Sequence, residues 1–137
     1  MFQVSVEEEF AAGHALRGYR GKCENPHGHN YKIQITVEGK ALNKIGLLID
    51  FVELKAAMHA TSRKLDHVFM NDVEPFKTVN PSAENIAKFF YEEVSELVAE
   101  STRKTPHEWP GGDLPRVSEV TVWETSTSIA TYWADPS

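Results

Sequence analysis

The chain has 137 residues, 41% of them hydrophobic, which suits one domain with a core of useful size. Lys and Arg number 14 against 20 Asp and Glu, a net charge of −6, which excludes a general attraction to nucleic acid or an anionic membrane. The single cysteine, Cys23, excludes an internal disulfide framework and fits a reducing compartment. Met1 to Ser5 lack the basic start and apolar run of a signal peptide, and no stretch reaches membrane-spanning length. A soluble cytoplasmic domain over 1–137 is expected.

In chain order, residues 2–13 and 29–39 alternate as strands do. Phe2, Val4, Val6, Phe10, Ala12 and His14 share one face of the first run. His27, His29, Tyr31, Ile33, Ile35 and Val37 share one face of the second. Glu8 also falls on the apolar face, and nothing in the sequence accounts for it. Arg17 to Lys22 form a glycine-punctuated loop. Asp50 can cap a helix, with Glu53 completing a capping box. Phe51, Leu54, Met58, Thr61 and Leu65 form its apolar stripe. A second helix starts near Asn80-Pro81-Ser82, buries Ile86, Phe90, Val94 and Leu97, and fades near Ser101. The proline- and glycine-rich residues 102–115 read as an exposed loop, and 117–124 and 128–133 as closing strands. The predicted class is α+β, in the order ββααββ, with two helices on one face of a four-stranded sheet. Such a sheet has two open edges, which predicts oligomerisation through them.

The histidines carry the chemistry. In a strand, residues i and i+2 lie on one side about 6.6–7 Å apart. An antiparallel hairpin brings His14 opposite His27 and His29. Three neutral nitrogens leave a tetrahedral zinc with an open fourth position, the pattern of a catalytic site. Cys23 lies four positions before His27, and spacing alone leaves it open between a fourth ligand and a reactive thiol beside the metal. Asp66-His67 could hold and relay a proton, although most such pairs are surface decoration. Glu124 shares a face with Val120 and Val122. It either reaches water where the strand ends or accepts hydrogen bonds from adjacent N–H groups of a heterocycle. His59 and His107 read as solvated. Arg17, Arg20 and Lys22 are either an ordinary solvated loop or a site for a polyanionic group.

These motifs resemble a known family. Phe10-Ala11-Ala12-Gly13-His14-Ala15-Leu16 and Cys23-Glu24-Asn25-Pro26-His27-Gly28-His29-Asn30-Tyr31 look like the 6-pyruvoyl- and 6-carboxy-tetrahydropterin synthase superfamily. So do Gly46-Leu47-Leu48-Ile49-Asp50-Phe51, Leu65-Asp66-His67, Asn80-Pro81-Ser82-Ala83-Glu84-Asn85 and Trp123-Glu124-Thr125. The resemblance implies the tunnelling fold, with protomers joined edge to edge into a trimeric barrel and two trimers stacked as a hexamer. It implies zinc on His14, His27 and His29, with Cys23 as catalytic base working with Asp66 and His67. It also implies that Glu124 anchors the pterin, with Ser82 as a helper, and that active sites lie between protomers.

The implied substrate is 7,8-dihydroneopterin triphosphate. Three residues separate Cys23 from His27, as in the bacterial 6-carboxy enzymes of the queuosine and 7-deazapurine pathway, and Asp50 in Ile-Asp-Phe is similar to that branch. Cys-Glu-Asn-Pro and Trp123 are similar to the pyruvoyl branch. The 6-carboxy reaction is therefore expected, with the 6-pyruvoyl reaction as the alternative. A third reading is a non-enzymatic zinc module in which Cys23 and the three histidines all ligate.

Overall fold

The computed structural model describes residues 1–19 and 24–135; residues 20–23, 136 and 137 and the side chain of His107 lie outside the described residues. The described residues form one antiparallel sheet of β1 (Phe2–His14), β2 (His27–Gly39), β3 (Arg116–Thr125) and β4 (Ser128–Tyr132), ordered as in the chain. Two helices, α1 (Phe51–Ser62) and α2 (Ala83–Arg103), connect β2 to β3. The α+β class and the ββααββ order are as expected. No helix among the described residues is long and apolar enough to cross a membrane.

Alternation decides which sheet face is covered. Val6, Phe10, Tyr31, Ile33, Ile35, Val37, Val120 and Val122 are buried under the helices. The other face is polar and carries no helix. There Ser5 meets Thr36 at 3.1 Å, Thr121 meets Thr131 at 2.9 Å, and the Lys32 ammonium lies 4.1 Å from the Trp123 ring centre.

The helix starts follow their caps. Asp50 accepts from Val52 N–H at 2.8 Å, and Ser82 accepts from Asn85 N–H at 3.2 Å. Glu53 does not complete a capping box; its carboxylate accepts from Ser101 Oγ at 3.4 Å. The buried row of α2 is Ile86, Phe90, Val94, Val98 and Thr102, spaced four apart throughout. Leu97 was expected in that row and instead is 36% exposed. A three-residue step from Val94 turns it to the flank that the four-residue row leaves behind. Phe2 and Phe51 likewise lie at the margins of their stripes and are exposed.

Two further expectations change. Residues 102–115 are not simply an exposed loop, because α2 runs on to Arg103 and Trp109 is buried, its indole N–H donating to Leu48 C=O at 2.9 Å. That bond ties the segment to the buried Leu48-Ile49 turn ahead of α1. Glu8 also gains an account: its two oxygens accept from His59 Nδ1 and Ser62 Oγ, each at 2.7 Å, and so bolt α1 to β1. His59 is exposed but not merely solvated.

Phe90 is fully buried and stacks on Phe10 at 5.8 Å. Phe90→Ala should cost about 3–5 kcal/mol in urea unfolding, and Leu97→Ala under about 1 kcal/mol.

Candidate metal centre

The hairpin register builds the centre. His14 pairs with His27 and Ala12 with His29, so the three rings rise together from the covered face. Beneath them Tyr31 is fully buried, stacked on Phe10 at 5.1 Å and edge-on to His14 at 5.7 Å and His29 at 5.6 Å.

Two backbone carbonyls orient the rings. His14 Nδ1 donates to Pro81 C=O at 2.7 Å, and His27 Nδ1 donates to Asn25 C=O at 2.8 Å. A carbonyl only accepts, so these bonds place each neutral ring's proton on Nδ1 and leave Nε2 bare. The two bare Nε2 atoms face each other at 3.0 Å. Glu124 Oε1 joins them, 3.1 Å from His14 Nε2 and 3.2 Å from His29 Nε2. His29 Nε2 is buried and makes no hydrogen bond. Burial, the largest influence, lowers the His29 pKa below its usual value; Glu124 opposes this, and His14 and His27 add to it. The shift favours the neutral ring, the form that ligates a metal.

The ligand atoms of His14, His27, His29 and Glu124 lie within 4.8 Å of one another. Lone pairs and a carboxylate pointed at one spot repel one another unless a cation sits between them, so the donor set fits a divalent metal.

Glu124 arrives by a bulge. The β3–β4 register shifts between Trp123 and Thr125, which re-aims the side chain between them. The same carboxylate lines a cavity of about 290 Å³ with Glu84, Ser128 and Thr131. The other expected residues are placed differently. Ser82 Oγ caps α2. The Arg17 guanidinium donates to Phe76 C=O at 2.7 Å and Val79 C=O at 3.5 Å. Cys23, Arg20 and Lys22 lie outside the described residues.

Asp66 and His67 stand along the outer edge of β1, apart from the histidine group. Asp66 Oδ1 accepts from Ala11 N–H and lies 3.0 Å from His67 Nδ1. His67 adopts φ of 60°, a left-handed conformation uncommon for a residue with a side chain, and its imidazole is 81% exposed. His67 and His29 line one cavity of about 460 Å³.

The Ala11 N–H is the largest influence holding the Asp66 carboxyl below its usual pKa, and the His67 hydrogen bond adds to it. The folded value thus lies below the unfolded one. The resulting stability is present above the ordinary carboxylate range and is lost as pH falls through the depressed value. Asp66→Asn in metal-free protein should flatten the acid limb of urea midpoint against pH and leave its neutral-to-alkaline slope unchanged.

Glu124→Gln separates two roles for that residue, read by metal titration and steady-state kinetics. A ligand role predicts weakened metal binding. An anchor role predicts retained metal and a KM raised about tenfold or more, since a charge-assisted pair is lost.

Comparison with known proteins gives the family. The family model described as 6-pyruvoyl tetrahydropterin synthase matches residues 3–135. The 6-carboxy-5,6,7,8-tetrahydropterin synthase of Haemophilus influenzae is 31% identical over 157 aligned positions, covering 96% of this chain and 99% of its own. The 6-pyruvoyl tetrahydrobiopterin synthase of Homo sapiens is 31% identical, covering 95% and 90%. Among solved structures, Caenorhabditis elegans 6-pyruvoyl tetrahydropterin synthase superposes with a TM-score of 0.79 at 26% identity, over 98% of this chain and 96% of that one. The chain belongs to the 6-pyruvoyl tetrahydropterin synthase family.

Proposed function

We propose that the chain is a zinc-dependent lyase that converts 7,8-dihydroneopterin triphosphate and one water to 6-carboxy-5,6,7,8-tetrahydropterin, acetaldehyde and triphosphate. The observation that carries the reading is the pair of bare Nε2 atoms of His14 and His27 at 3.0 Å, in a chain with a 6-carboxy relative along nearly its whole length. His14, His27 and His29 hold the ion. The chemistry zinc supplies when bound to such a centre is Lewis-acid polarisation of a substrate oxygen, which acidifies the neighbouring C–H.

Cys23, as thiolate, takes that proton. A free thiol has a pKa of about 8.5, so Lys22, its neighbour in the sequence, a nearby protonated histidine or the metal's field has to lower it. His67, held by Asp66, returns a proton elsewhere on the side chain. Glu124 accepts from the adjacent ring N–H groups of the pterin; the cavity it shares with Ser128 and Thr131 supports this. Ser82, already capping α2, helps through its place at that helix start rather than by a free hydroxyl.

The exposure of His67 supports an active site completed between protomers, in a hexamer of two stacked trimers whose sheets join edge to edge. The lone cysteine fits the cytoplasm, and the queuosine or 7-deazapurine route goes with the 6-carboxy reading. The human relative, equal in identity, favours the 6-pyruvoyl product as the second reading.

Incubation with 7,8-dihydroneopterin triphosphate decides between them. Acetaldehyde with 6-carboxy-tetrahydropterin is the expected outcome; 6-pyruvoyl-tetrahydropterin supports the second reading, and no turnover overturns both. Cys23→Ala should keep its zinc and lose turnover. Loss of zinc and stability would instead make Cys23 a ligand of a structural module.

A further inference from the structure

Among the described residues no further strand lies outside β1, and near Ala11 its outer edge is completed by one side chain and by backbone groups. Ala11 N–H goes to Asp66 Oδ1 at 3.0 Å, and Ala11 C=O receives His67 N–H at 2.6 Å. Gly13 N–H goes to Val68 C=O at 3.0 Å. Beyond the strand the pattern continues on amides. Asn71 Oδ1 accepts from Ala15 N–H and Asn71 Nδ2 donates to Ala15 C=O, both at 2.9 Å. Asn80 does the same to Arg17, again with both bonds at 2.9 Å. A primary amide carries one acceptor and a pair of donors, so it can imitate the edge of a neighbouring strand at one residue.

Those grips fall on Ala15, the residue directly after His14, and on Arg17, two positions further along. Asn80 is itself fixed, since its C=O accepts from Asn85 Nδ2 at 2.9 Å. The next residue, Pro81, supplies the carbonyl that holds His14 Nδ1. One short segment thus grips the backbone beyond His14 and also aims its ring.

We propose that Asn71 and Asn80 are positioning residues for the histidine centre, holding residues 15–17 so that His14 Nε2 stays aimed at the metal. The proposal rests on the metal reading above, and the test keeps the two apart. Cobalt(II) replaces zinc as probe, read by its visible absorption and by chelator competition on the full chain. Asn71→Ala and Asn80→Ala should raise the cobalt dissociation constant about tenfold or more, the usual consequence of losing a group that orients a ligand. Asn71→Asp and Asn80→Asp keep the acceptor, lose the donor and should fall in between; they serve if the alanine variants do not fold.

Trp109→Phe, which breaks the remote bond to Leu48, is the stability control and should keep cobalt affinity within about twofold. Variants that bind cobalt as the wild type does overturn the proposal and leave the metal reading standing. So does an equal weakening in Trp109→Phe, which marks general destabilisation. A wild type that takes up no cobalt overturns the metal reading and the proposal with it.

Discussion

The centre depends on one constraint, the register of β1 against β2. The pairing runs unbroken from Phe2 with Gly39 to His14 with His27. A slip of one residue carries every side chain to the other face of the strand. His14 would then point at the polar face, while His27 and His29 remained on the covered one. The hydrophobic residues that fix this register, Val6, Phe10, Tyr31, Ile33 and Ile35, lie on the same face as the histidines. Folding and site assembly are therefore one event, and the buried aromatics set the spacing of the nitrogens.

Given that register, electrostatics narrows the rest. Pro81 and Asn25 carbonyls hold the protons of His14 and His27 away from the centre, and burial disfavours the charged form of His29. The rings meet as acceptors. Glu124 adds a carboxylate oxygen beside His14 and His29. Such a cluster tolerates assembly best around a cation, and acid weakens it because each ligand must first lose a proton to bind. Asp66 is the opposite design. Its carboxylate is satisfied by a backbone N–H and a neighbouring imidazole, so it needs no ion.

Much of this was legible in the sequence, because strand alternation and cap residues are written in side chains. Period-two patterning located both strands of the hairpin and the face carrying His14, His27 and His29. Asp50 and Ser82 marked the helix starts correctly. Other parts were invisible for physical reasons. The Pro81 and Asn25 carbonyls are backbone groups and leave no signature. Leu97 and Val98 are adjacent apolar residues, and only the crossing of α2 over the sheet chooses between them. Trp109 stood among prolines and glycines that advertise a loop, though a lone tryptophan there is itself a signal of anchoring. Glu8, His59 and Ser62 are far apart in the chain until α1 docks. Asn80 reads only as part of a helix start and Asn71 carries no reading, because their grip on Ala15 and Arg17 depends on a chain reversal no local pattern encodes.

The paired outer groups of Ala11 and Gly13 act as a stop. Among the described residues, the outward backbone groups of Gln3, Ser5, Glu7 and Glu9 have no such partner. Any strand laid against β1 from outside has only that lower stretch to pair with, and β4 at five residues is short enough to fit within it. The same closure would fix where a strand laid along that edge ends. That end falls beside Ala11, and Ala11 is the residue to which Asp66 and His67 are fastened.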